Sequence, residues 1–165
     1  MSIDKLFIAD PFNDEHIEKF NIFEDKNSIE TKTSTYLKDI KRKYTKDDYE
    51  EKMKTNNIIN KVLFLENEEG IKDCCFITVE KDRKIATLYF PKLKENIKNR
   101  TILSMAVNYS FNALNIEEIF TTVSTDNTSF IVTLQKNGFE SLGAENDTEI
   151  FVNQKEQEKQ IGRVI

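Results

Sequence analysis

The run from Val123 to Phe139, V-S-T-D-N-T-S-F-I-V-T-L-Q-K-N-G-F, constrains the fold of this chain more than any other segment. A β-rich stretch, Ile119 to Thr125, leads into it. Asn127 then stands before an apolar-periodic run, where an Asn side chain accepts one of the orphan N–H groups of a helix start. Eleven residues later Gly138 offers the positive φ that ends a helix, and Phe139 supplies the hydrophobic anchor of the return. The spacing predicts a helix over 127–136 between two strands. Upstream, Ile102, Leu103, Ala106, Val107, Ser110, Phe111 and Leu114 fall on one face of a helix from about Arg100 to Leu114. Strand, helix and strand in this order require a right-handed crossover and a locally parallel pair inside a mixed sheet.

The remaining pattern fits an α/β (α+β) domain. Lys5 to Ala9 reads as a short strand stopped by Asp10-Pro11. A first helix of two to three turns starts at Asn13-Asp14-Glu15, with Ile17, Phe20 and Phe23 at helical spacing. Ser34 to Asn56 reads as two short helices separated by a cap at Thr45. Ile58 to Glu66, Ile71 to Glu80 and Ile85 to Phe90 form an antiparallel meander, turned at Asn67-Glu68-Glu69-Gly70 and at Lys81-Asp82-Arg83-Lys84. Phe139 to Leu142 and Glu149 to Val152 close the sheet. The tail beyond Asn153 is polar and reads as helical or frayed. The expected architecture is a mixed, mostly antiparallel central sheet flanked by helices.

Composition removes several classes of function. At 165 residues and 19.3 kDa the chain is the size of one domain, and 38% hydrophobic content with 12 Phe is too apolar for disorder. Apolar runs are only a few residues long, so no membrane span is expected. Met1-Ser2-Ile3-Asp4-Lys5 carries charge where a signal peptide is apolar, which predicts a cytoplasmic location. Cys74 and Cys75 are adjacent and face opposite ways on a strand, so they read as reduced thiols. A net charge of −5 argues against nucleic-acid binding and allows a cationic substrate. With His16 as the only histidine, a catalytic His pair and a multi-His metal site are excluded, and no metal is expected.

Asn127, Lys136, Gly138 and Phe139 sit at the spacing N-x(8)-K-x-G-F, and the segment Tyr109-Ser110-Phe111-Asn112-Ala113-Leu114-Asn115-Ile116 followed by Ile119-Phe120 matches the helix, turn and strand before it. In these features the chain resembles the GNAT superfamily of N-acetyltransferases over residues 58–153, within a single domain spanning 1–165. Leu134 stands where many members carry a general-acid tyrosine. Leucine there is similar to the branch that contains ribosomal-protein and spermidine acetyltransferases.

The resemblance implies acetyl-CoA as cosubstrate and an amine acceptor: a small molecule, a polyamine or a protein N-terminus. It implies that the pantetheine arm lies in the opened edge between the third meander strand and the next, Thr87 to Phe90 and Thr121 to Val123, on backbone groups of Leu88 and Phe90. The family's Q/R-x-x-G-x-G/A pyrophosphate loop would fall on Lys94, Ile97 and Asn99, where no glycine is present. The same stretch is basic, with Lys92, Lys94, Lys98 and Arg100 against Glu95. Lys94, Lys98, Asn99, Arg100, Thr101 and Asn127 are therefore the candidate cofactor ligands; the alternative is a set of solvated loop lysines and an ordinary helix cap.

Because the cofactor carries the reactive group, the protein need not supply a nucleophile. Glu80 is the nearest candidate for a general base and Ser129 for a proton donor, each with a plainer reading as a solvated turn residue and a first-turn helix hydroxyl. The missing glycines and the absent obvious base also favour a second reading, a catalytically inactive GNAT-fold binding or regulatory module. Self-association as a homodimer is left open.

Overall fold

The β-rich run of the first half becomes a long hairpin, β2 (Ile58–Asn67) and β3 (Gly70–Glu80), turned at Gly70, whose φ of +116 is the conformation only glycine adopts freely. Asn67 Oδ1 accepts the Glu69 N–H at 2.8 Å and fixes that turn. Around the hairpin the chain lays down β1 (Lys5–Ile8), β4 (Ile85–Tyr89), β5 (Glu118–Ser124), β6 (Glu140–Glu145) and β7 (Thr148–Gln154). The computed structural model describes residues 3–30, 32–94 and 100–155, and within them the seven strands form one sheet in the order β1-β2-β3-β4-β5-β7-β6. Every neighbouring pair is antiparallel except β4 and β5, which are parallel as the crossover requires.

The helices are α1 (Asp14–Asn27), α2 (Thr33–Lys43), α3 (Lys46–Thr55), α4 (Thr101–Asn108) and α5 (Thr128–Lys136). The two-residue alternation of the strands sorts the core into two layers. On one face Val62, Phe64 and Cys74 pack against Ile17, Phe20 and Phe23 of α1 and Leu37 of α2. On the other Leu63, Leu65, Cys75 and Ile77 meet Ile102, Leu103 and Ala106 of α4 and Phe130 and Leu134 of α5. Cys74 and Cys75 are both buried and free, one in each layer. Burial pushes both thiols up, which keeps them protonated.

Two helices differ from their sequence expectation. α1 runs for 14 residues, beyond the two to three turns read from its apolar stripe. Its last turn is held by Asn27 Nδ2 donating to the Phe23 carbonyl at 2.9 Å, and Ser28 closes it with φ 54. The helix expected to run from Arg100 to Leu114 is α-helical only to Asn108 and widens into a π turn over Tyr109–Ala113. There the buried Ser110 hydroxyl donates to the Ala106 carbonyl at 2.8 Å, an insertion that loosens the ladder. Thr45 caps α3 as the sequence reading expects, its Oγ1 accepting the Asp48 N–H at 3.2 Å. α2 begins at Lys32, which has no capping side chain, and the buried Glu24 carboxylate of α1 accepts the Ser34 N–H at 3.0 Å in its place. The expected tail beyond 155 lies outside the described residues.

His16 locks the first turn of α1 to the end of β1. Its Nδ1 accepts the Asp10 N–H at 3.0 Å and its ring stands edge-on to Phe64 at 5.0 Å. Burial lowers its pKa below 6.5, with Asp10 pulling the other way. The folded protein therefore holds the neutral imidazole, and the unfolded chain takes up the proton first as the pH falls through 6.5. Stability is expected to drop between that pH and the lower folded-state pKa. Melting curves from pH 7 to 5 check this: His16→Gln should show a shallower loss of Tm than the parent, and parallel slopes would contradict the assignment.

Candidate functional site

The end of β4 is where the sheet opens. The β4–β5 ladder runs from Ile85 opposite Glu118 to Leu88 opposite Thr121 and stops, while β5 continues to Ser124 in its pairing with β7. Thr121 Oγ1 donates to the Leu88 carbonyl at 2.9 Å and closes the last rung. The Leu88 carbonyl is thus engaged from the β5 side, and Phe90 follows β4 directly without making a rung of the β4–β5 ladder.

Arg100 dominates this opening, in a way its sequence context did not suggest. Its Nε donates to Asp73 Oδ2 at 2.9 Å, and a second guanidinium nitrogen bonds Asp73 Oδ1. Asp73 Oδ1 also accepts the Cys74 N–H at 2.8 Å. The Asp73 side chain is 4% exposed and that of Arg100 11%. Alternation along β3 turns Asp73 to the same face as Cys75 and Ile77, beneath the start of α4. The Arg100 guanidinium lies 5.3 Å from the Phe90 ring centre and 5.8 Å from that of Phe130. Those two rings meet edge to face at 5.4 Å. Arg100 thus joins the exit of β4, the start of α4 and the first turn of α5.

The Arg100 guanidinium is turned inward and its charge is answered by Asp73. The Arg100 backbone stands at the N-cap of α4, where its own side chain makes no cap bond and, among the described residues, no side chain accepts from the Thr101 or Ile102 amides. Asn127 Oδ1 accepts the Phe130 N–H at 3.4 Å and so acts as the cap of α5. Ser129 is exposed in the same turn, its Oγ 3.4 Å from Asn127 Oδ1. Since α4 and α5 both begin at the C-terminal ends of the parallel strands, Phe90, Arg100, Thr101, Asn127 and Ser129 belong to one end of the sheet.

Glu80 and Lys94 do not join them. Glu80 pairs with Ile85, the first residue of β4, three rungs before Leu88, roughly 10 Å along the strand. Arg83 lies 3.2 Å from its Oε2, outside hydrogen-bonding alignment. The structure therefore does not place Glu80 as a base at the opening. The exposed Lys94 is drawn to α1, where its N–H donates to Asn27 Oδ1 at 3.2 Å. Lys98 and Asn99, with Ile97, lie outside the described residues. Leu134 is fully buried in the core. Asp73 and Phe130 escaped the sequence reading, although an acid inside I-K-D-C-C-F-I is itself a signal, because a buried carboxylate demands a partner.

Removing one member of the buried pair strands the other. Asp73→Asn or Arg100→Met alone should cost about 3–5 kcal/mol in denaturant unfolding, and the double change Asp73→Leu with Arg100→Met should recover most of that loss. Additive losses in the double variant would show that the two side chains do not act as a pair.

No family model and no curated protein matches this sequence. Solved structures do. A mutant form of the spermidine N-acetyltransferase SpeG from Vibrio cholerae superposes with a TM-score of 0.63 at 16% identity, covering 98% of each chain. A dodecameric structure of the V. cholerae spermidine N-acetyltransferase gives 0.65 at 14% identity, also over 98% of each chain. The N-acetyltransferase PseH of Campylobacter jejuni gives 0.60 at 16% identity over 92% of this chain and 98% of that one. Over nearly its whole length, this chain therefore has the fold of the GNAT acetyltransferases.

Proposed function

We propose that the chain is an N-acetyltransferase that uses acetyl-CoA to acetylate an amine. The observation that carries this reading is the end of the β4–β5 ladder at Leu88 and Thr121 while β5 runs on, beside a helix start at which Arg100 makes no side-chain cap bond, in a chain with this fold. A pantetheine arm would add to the open edge at Phe90, and its pyrophosphate would meet the first amides of α4. The residues fit that role through backbone groups, with Asn127 and Thr101 at the rim. Acetyl-CoA supplies the thioester. The chain's contribution is to orient it and to exclude water behind Phe90, Phe130 and Arg100.

The acceptor would approach over the uncovered sheet face, where Tyr89 is 56% exposed beside Phe76 and Ile150 is 42% exposed. Acids gather at the C-terminal end of β5, where Asp126 stands beside Glu145, Asp147 and Glu149 of the β6–β7 turn; Glu117 and Glu118 lie at its other end, with Lys84 3.5 Å from Glu117. That cluster favours a cationic amine, with a polyamine or a basic N-terminus ahead of a neutral metabolite. Acetyl transfer needs the attacking amine neutral, and β4 carries no acid to take its proton, so water is the proton acceptor in this proposal. A cytoplasmic location and self-association belong to the same proposal. The dodecamer is a property of the V. cholerae enzyme.

A second reading has its own observation. The Phe90–Phe130 contact with Arg100 above it fills the mouth through which pantetheine would enter, and a protein that keeps it filled is a binding module without catalysis. Thermal melting separates the two. Acetyl-CoA at about 100 times its Kd should raise Tm by roughly 5–10 °C, and release of thiol should follow when a polyamine is added. An unchanged Tm at millimolar acetyl-CoA would refute cofactor binding; a shift without thiol release across an amine panel would favour the inactive module.

A further inference from the structure

Two strands away from β4, outside the proposed acyl-transfer opening, the chain builds a cavity of about 590 Å3. α2, α3, the end of β1 and the first half of β2 enclose it. This volume lies within the range of small-molecule sites. Its walls are largely apolar, with Phe12, Leu37, Met53, Ile59 and Val62 among them. α3 covers it without burying any side chain of its own. The helix is tied down at its C-terminus by Lys81 Nζ, which donates to the Lys54 carbonyl at 3.1 Å and to that of Met53.

Lys61 is the unusual group in this lining. It is half-buried, and among the described residues no carboxylate lies within ion-pair distance of its ammonium. Burial lowers its pKa, and the charge nearest in effect is Lys81, another cation. Asp10 and Glu50 share the cavity but do not pair with it. Asp10 Oδ1 instead accepts the Phe12 N–H at 2.9 Å. Two phenols complete the polar lining. Burial raises the Tyr36 pKa, and burial with Tyr36 and Asp10 raises that of Tyr49 to about 12, so both remain O–H donors at neutral pH. Neither hydroxyl has a hydrogen-bond partner among the described residues. A desolvated cation and two idle donors above an apolar floor are complementary to an anion with an apolar body.

We propose that this cavity binds a small organic carboxylate with an aliphatic or aromatic body, its carboxylate seated on Lys61 and its body between Phe12, Met53 and Ile59. The inference stands apart from the proposed acetyl transfer, since β3 separates this wall of β2 from β4.

Hexanoate, hexanamide and hexylamine test it on the intact protein. The chain has no Trp, and Tyr36 and Tyr49 are two of its five Tyr, so tyrosine emission reports the site. Hexanoate is expected to give a saturable emission change and a rise in Tm, with the amide and the amine each roughly tenfold weaker or more, as the loss of one charged contact implies. Lys61→Met should lose about the same factor and Lys61→Arg should retain binding. Equal affinity for acid and amide, tighter binding of the amine, unchanged hexanoate binding by Lys61→Met, or no saturable response at tens of millimolar would each overturn the proposal. The acid-to-amide comparison on the parent protein decides the matter even if Lys61→Met fails to fold.

Discussion

Asp73 and Arg100 form the contact on which the architecture of the opening depends. Taking both charges out of water is costly, and the cost is met by two guanidinium hydrogen bonds, a third bond from the Cys74 amide and two aromatic faces against the guanidinium. An arginine at a helix N-cap would otherwise oppose the macrodipole. With Asp73 beneath it, the charge is neutralised and the start of α4 is pinned to β3, to the exit of β4 and to the first turn of α5. The pair spans 27 residues of sequence, so it also fixes the crossover between the meander and the second half of the chain.

This arrangement bears on how a cofactor site can exist without the expected glycines. A glycine loop serves phosphate through bare backbone and free φ. A helix start lacking a side-chain cap offers the same donors if something else holds its position. Arg100 holds the start of α4 through Asp73, which explains why a basic residue sits at this helix start with its side chain turned away from solvent. The Phe90–Phe130 edge-to-face contact gives the end of β4 an apolar cover at the start of α5.

Most elements were legible in the sequence because they are local. The Asn127 cap, the Gly70 turn and the apolar stripes of α4 and α5 follow from residues a few positions apart. The parallel pairing of β4 with β5 followed from the order strand, helix, strand. What was illegible depends on distant residues. The buried partner of Arg100 lies on β3, and the Thr121 hydroxyl that reaches the Leu88 carbonyl lies on β5, so neither contact follows from local spacing. Glu80 looked close to the opening along the chain, yet an antiparallel register carries it towards the other end of the sheet. The length of α1 was underestimated because its last turn is held by an Asn27 side chain and a left-handed Ser28, neither of which belongs to the apolar pattern.

If coenzyme A meets this protein as proposed, at the end of β4 and the start of α4, titrating it into 15N-labelled protein will shift backbone amides there. The largest shifts are expected at Phe90, Thr101, Ile102, Val123 and Asn127, with Ile85 and Glu80 little moved. An undisturbed spectrum at millimolar CoA, or shifts centred on the α2–α3 cavity instead, would contradict that proposal.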